Sequence, residues 1–261
     1  MVRPCRLDLS CLPVALALVT SPASAQIVNV QPLVAANGGK EGLSVTAEGS
    51  ADVRTGNTRL VALAGNATAG YRAGRHQVFL MARAELSREA GDPIVDKDLE
   101  HLRYRLSING PLEAEVFLQH DRDAFRRLAL RALAGAGPRL RVAPIPGFEA
   151  ALGVALLFEH ERLSSGPEPD AGEEVFDARL STYLVLATSV TPQLTLGNTF
   201  YLQPRLDRAG DVRVLSESSL LATVTKHLSV KMSLSSAYDA QPPAGVLPLD
   251  ATLKSALQLS F

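Results

Sequence analysis

The residue types in this chain that could do chemistry are five histidines, one serine set beside a histidine, and many arginines and glutamates at alternating positions. The histidines are His76, His101, His120, His160 and His227, and no two of them have metal-ligand spacing on one face. His227-Leu228-Ser229 puts a base and a hydroxyl on the same side of an extended chain, the arrangement of a base beside a nucleophile. Its neighbours argue against catalysis. Leu228, Val230, Met232 and Leu234 are the apolar set of that stretch, so His227 and Ser229 point away from lipid, next to a short turn, whereas a lipid deacylase must present its nucleophile to an acyl bond. His120-Asp121-Arg122-Asp123 reads as a charged loop end. The expectation is therefore a non-enzymatic protein with no catalytic, cofactor or metal site.

The arginines and glutamates follow a pattern. In 99–109, Leu102, Tyr104, Leu106 and Ile108 alternate with His101, Arg103, Arg105 and Ser107. In 112–122, Leu112, Ala114, Val116 and Leu118 alternate with Glu113, Glu115, Gln119 and Asp121. The next two stretches set Leu128, Leu130, Ala132, Ala134 and Leu140 against Arg127, Arg131, Arg139 and Arg141, then Leu152, Val154, Leu156 and Phe158 against Glu149, Glu159 and Glu161. One face suits lipid and the other water, which is the period-two wall of a transmembrane barrel. The polar faces run positive, negative, positive, negative. This order implies a ladder of Arg103, Arg105, Glu113, Glu115, Arg127, Arg131, Glu159 and Glu161 filling the lumen. A selective pore tends to segregate sign; alternation favours a cohesive, narrow interior. Individual pairs facing a wet lumen are expected to contribute little each.

About twelve alternating segments position these residues, near 42–54, 58–71, 76–87, 99–109, 112–122, 127–142, 148–162, 177–190, 193–205, 212–225, 228–239 and 251–261. Every second link is tight, and the others include long ones at Arg88 to Asp98, Leu163 to Phe176, Leu206 to Asp211 and Ala240 to Asp250. That sorting by parity is the periplasmic-versus-extracellular asymmetry of an even-stranded antiparallel up-and-down β-barrel. The chain closes on Leu257-Gln-Leu-Ser-Phe261, with Leu257, Leu259 and Phe261 on one face, resembling the carboxy-terminal signal read by the barrel-assembly machinery of Gram-negative bacteria.

At the other end, Arg3 and Arg6, the apolar run Leu12 to Val19 and the Ala23-Ser24-Ala25 site predict a secretory signal over 1–25, cleaved after Ala25. Residues 26–41 would then form a periplasmic segment ahead of a barrel over 42–261. Both cysteines, Cys5 and Cys11, fall in the removed part, so the mature chain is expected to hold neither disulfide nor lipid anchor. A net charge of −1 leaves no electrostatic footprint for nucleic acid. Trp is absent, and the thin aromatic set Tyr71, Tyr104, Phe148, Phe158, Phe200, Tyr238 and Phe261 would have to serve as girdles.

The carboxy-terminal third carries a family resemblance. Leu194-Thr-Leu-Gly-Asn198, Tyr201-Leu-Gln-Pro204, Asp211-Val-Arg213, Ser216-Glu217, Leu228-Ser-Val-Lys-Met-Ser-Leu234, Tyr238-Asp239, Pro242-Pro243 and Asp250-Ala-Thr-Leu253 are similar to the salt-induced outer-membrane protein family of the YdiY type, domain of unknown function 481. Thr55-Gly56-Asn57-Thr58 and Phe125-Arg126-Arg127-Leu128 fit it as well, while Leu202 stands where the family usually has an aromatic. The resemblance implies an outer-membrane barrel in contact with outer-membrane lipid, structural or tied to salt or osmotic stress, and supplies no ligand or catalytic residue. A narrow channel for ions or small solutes is the first alternative, and a lipid-modifying enzyme the second.

Overall fold

The computed structural model describes residues 41–56, 59–145 and 147–260. The stretch 1–25 expected to be a signal, residues 26–40 of the expected periplasmic segment and the terminal Phe261 lie outside the described residues. Twelve strands follow one another: β1 (Gly42–Arg54), β2 (Leu60–Ala73), β3 (His76–Glu89), β4 (Asp92–Asn109), β5 (Leu112–Asp123), β6 (Leu128–Ile145), β7 (Phe148–Leu163), β8 (Glu174–Thr191), β9 (Leu194–Pro204), β10 (Val212–Thr223), β11 (Leu228–Asp239) and β12 (Leu249–Ser260). Each pairs antiparallel with its chain neighbours, and β1 pairs with β12, so the sheet is a closed up-and-down barrel. Among the described residues no helix is long and apolar enough to cross a membrane; the strands make the crossing.

Alternation fixes which way each side chain points. On β5, Glu113, Glu115, Phe117, Gln119 and Asp121 are buried, while Val116 and Leu118 face outward and are half exposed. On β7 the same rule buries Ala155, Leu157 and Glu159 and exposes Leu152, Val154, Leu156 and Phe158. A one-residue slip would reverse every such residue, so the apolar exterior and the charged interior together pin the register. Outward aromatics are sparse but present toward both rims. Tyr71 and Tyr104 lie toward the short-turn end, where Tyr104 bonds His76 at 2.7 Å, and Phe176 stacks on His160 near the long-loop end, with ring centres 4.2 Å apart.

Two sequence expectations about the strands need correction. The stretch from Arg88 to Asp98 is not a long loop, because β3 and β4 continue to a tight turn at Ala90-Gly91, where both residues take positive φ (52° and 103°). This extension has Asp96 and Asp98 on its outward face, above the apolar belt, where no lipid demands hydrophobic residues. Leu128 is buried rather than lipid-facing, since an irregularity between Leu128 and Leu130 shifts the strand by a residue. The link near Asp123 is a 3-10 turn, Ala124–Arg126, whose backbone N–H groups at Phe125 and Arg126 donate to the Asp123 carboxylate.

The ring is not uniformly stitched. β1 shares 13 residue pairs with β2 but four described pairs with β12. Glu48 on β1 and Lys231 on β11 bond at 2.7 Å over the intervening β12, reinforcing that seam.

Candidate functional site: a lumen crossed by ion pairs

Arg103 and Arg105 point inward from β4, with Glu115 directly opposite Arg105 on β5. The Glu115 carboxylate accepts from Arg103 Nη1 at 2.9 Å and from Arg105 Nε at 2.6 Å. A third donor comes from farther round the ring: Tyr183 on β8 gives its hydroxyl to the same carboxylate at 2.5 Å. Glu113 accepts from Arg139 on β6 and lies 3.7 Å from Arg105 Nε. Above this cluster, Arg103 is stacked over Phe117, 4.8 Å from the ring centre, and meets His101, which bonds Gln119 at 3.1 Å.

Two glycines make room for the aromatics. Gly135 is the cross-strand partner of Phe117, and Gly153 that of Tyr183. A Cβ at either position would fall within the facing ring, so the rings lie flat over bare backbone. Without Gly153, Tyr183 could not lie across β7 toward Glu115.

A second cluster centres on Glu159 of β7. Arg131 on β6 donates Nε at 3.0 Å and Nη2 at 2.7 Å to one carboxylate oxygen. Arg213 reaches from β10 to the other oxygen at 2.5 Å, and also binds Glu161 at 3.1 Å and Asp239 at 2.9 Å. Nearby, Arg179 on β8 pairs with Asp211 at 3.0 Å. Arg131 is 0% exposed, Arg105 1% and Glu115 4%. These pairs are dry. The expectation of weak, water-screened pairs therefore does not fit this half of the lumen: buried charges stripped of one partner are costly.

Of the eight ladder residues, Arg103, Arg105, Glu113 and Glu115 meet in the first cluster, and Arg131, Glu159 and Glu161 in the second. Arg127 is in neither. It ends the 3-10 turn in the left-handed conformation (φ 61°), so its side chain leaves the lumen and binds Asp170 at 2.5 Å, Glu168 at 3.4 Å and the Ala244 carbonyl at 3.2 Å. Asp170 also accepts from the Ala244 N–H at 2.8 Å. This clasp joins loops 164–173 and 240–248 at the long-loop end. The Ala244 N–H and then Arg127 hold the Asp170 carboxyl below its ordinary range.

Sequence reading passed over Arg213, Tyr183, Arg139 and Asp239 as ladder members. The inward parity of their strands was the available signal; which residues meet across the bore depends on ring closure. His227 and Ser229 stay apart from any acyl-transfer geometry. His227 Nδ1–H donates to the Ser260 carbonyl at 2.9 Å beside the short turn, and Ser229 is buried in the wall's interior. Outside the barrel, above the apolar belt, Asp98, Glu100 and His120 bring one polar atom each within 4.8 Å of one another. Glu100 bonds His120 at 2.8 Å and Arg122 bonds Asp98 at 2.8 Å, so this patch satisfies itself.

The family described as "Protein of unknown function, DUF481" matches residues 47–261. The chain belongs to the DUF481 family. Among solved structures, the DUF481 barrel is similar to the translocator domain of autotransporter NalP from Neisseria meningitidis, with 12% identity, a TM-score of 0.50 and coverage of 88% of this chain and 92% of that one. The transport unit of autotransporter AIDA-I from Escherichia coli gives 11% identity, a TM-score of 0.42 and coverages of 90% and 93%. The NanC porin gives 7%, 0.47, 84% and 98%. At these identities the NalP likeness bears on the fold alone, and nothing rests on the other two. No functionally curated protein matches the DUF481 chain.

Proposed function

We propose that this protein is a non-enzymatic outer-membrane barrel whose lumen is closed to all but ions and very small solutes. The apolar outward face and the twelve-strand ring support the membrane setting, and the parity of loop lengths supports short turns in the periplasm. One observation carries the closed bore: the charges at its centre are buried, with Arg131 at 0% and Arg105 at 1% exposure. A ring of this strand number lies between side-chain-filled eight-stranded barrels and open porins. Bridges from β5 to β8 and from β7 to β10 occupy the intermediate space.

Conductance across planar bilayers tests this reading. Purified wild type is expected to give small or undetectable currents, and the combined change of Arg105, Glu115 and Arg131 to Ala a clear increase. Porin-sized currents from wild type would overturn the closed bore and favour a channel. Altered lipid A in a deletion strain, read by mass spectrometry, would instead favour an enzyme.

A further inference from the structure

The other side of the lumen is built differently. Where β10, β11, β12, β1, β2 and β3 face inward, charged residues alternate with small and hydroxyl-bearing ones such as Ser50, Ser235 and Thr252, and together they line a cavity open to solvent. Several charges lining this cavity are already matched. Glu48 bonds Lys231 at 2.7 Å, and Glu85 holds both Lys97, at 3.3 Å, and Lys254.

Two lining charges are not matched. Glu217 on β10 is 6% exposed, and among the described residues it makes no hydrogen bond or ion pair. Arg83 on β3 makes none either, and its charge reaches Glu85 only at longer range. The Glu217 carboxylate opens onto the cavity with no protein donor among the described residues, and charge-assisted hydrogen bonds from a ligand are the strong interactions still open to it. β10 and β3 are separated round the ring by four strands, which puts the two groups on different sides of one cavity.

We infer that this cavity binds a small zwitterion, its ammonium at Glu217 and its carboxylate at Arg83. The guanidinium offers a planar pair of donors that matches a carboxylate, and a carboxylate accepts from an ammonium by charge-assisted bonds. An inorganic cation would answer Glu217 but add to a positive surplus, since Glu85 already bonds two lysines and is the anion that Arg83 reaches at longer range. A neutral ligand with both charges satisfies both groups and leaves the existing pairs undisturbed. The hydroxyl groups of the wall accommodate a polar chain between the two ends.

The test uses the full chain refolded in detergent micelles. Glycine, γ-aminobutyrate and 6-aminohexanoate sample increasing spans between the charges, and butyrate and butylammonium carry one charge each. Titration calorimetry is expected to show at least one zwitterion binding about tenfold or more tightly than either single-charge control, the scale of one charged hydrogen bond. Glu217→Gln should reduce that affinity to the level of butyrate, and Arg83→Gln to that of butylammonium. Because neither side chain is ion-paired, both variants are expected to keep the heat-modifiable gel migration of a folded barrel; if one does not, the zwitterion-to-control ratio on wild type decides alone. No binding by any zwitterion, equal binding by the single-charge controls, or affinity unchanged in both folded variants would overturn the inference. It stands apart from the closed bore: binding concerns one cavity, and conductance the whole path.

Discussion

The two sides of this lumen are made from the same residue alphabet to different ends. From β4 to β8, with Arg213 reaching in from β10, arginines and glutamates are buried, multiply bonded and backed by Phe117 and Tyr183. From β11 round to β3, lysines and glutamates line open space among serines, alanines and glycines. What differs is what surrounds each charge. Large neighbours on one side exclude water and turn each pair into a structural bolt. Small neighbours on the other admit water and leave charges available. Inward charges of both signs are common to both, so charge on the polar face alone does not tell a filled interior from an open one.

The contrast is broken most directly at Glu159. Glu159→Ala strands Arg131 in a dry interior and takes one of the three carboxylates that hold Arg213, and about 3–5 kcal/mol of stability should be lost. Urea unfolding of the refolded barrel measures it; a midpoint within error of wild type would mean that this half is wetter than its burial indicates. Gly153→Ala is expected to cost about 1–3 kcal/mol by pushing the Tyr183 ring off the wall and away from Glu115. The same assay reads it, and adding Tyr183→Phe should remove little more once the ring is displaced. On the open side, Lys254→Ala leaves Glu85 with Lys97, and the side chain is 37% exposed, so a loss of only about 0–1 kcal/mol is expected. A loss matching that of Glu159→Ala would erase the distinction between the halves.

The smallest effect belongs to the clasp between the long loops. Asp170's carboxyl is held low by the Ala244 N–H and Arg127, so the clasp is complete at neutral pH. Its contribution is present above the ordinary aspartate range and fades as pH falls through the lowered native value. Protease nicking within 164–173 should therefore rise at acid pH and, in Asp170→Asn, be raised already at neutral pH.

Much of the wall was legible in the sequence because a barrel strand obeys one rule on each side. The stretch 228–239 is bounded to the residue, since Leu228, Val230, Met232 and Leu234 alternate and Tyr238 marks the rim on the same face. Legibility failed where lipid stops acting. Asp92 to Asp98 continue β4 beyond the apolar belt and carry no alternation to read. Arg127 was misplaced because a turn, which parity does not describe, puts it in the left-handed region. Of the site, the pairing of Arg105 with Glu115 follows from adjacent strands of opposite sign. The contacts of Arg213 with Glu159 and Tyr183 with Glu115 skip strands, and only the radius and closure of the ring bring them together.

The thin seam between β1 and β12 has a consequence in time. The consecutive hairpins join strands across short connections or modest loops, whereas the seam must unite the first and last strands of the chain, and Glu48 and Lys231 lie 183 residues apart. Loop-closure entropy and contact order both place such a union late. A bond that forms after the rate-limiting ordering of the chain does not speed folding; it slows escape from the finished state. Glu48→Gln should accordingly leave the folding rate nearly unchanged and raise the unfolding rate, so the pair acts as a latch on the lifetime of the closed ring.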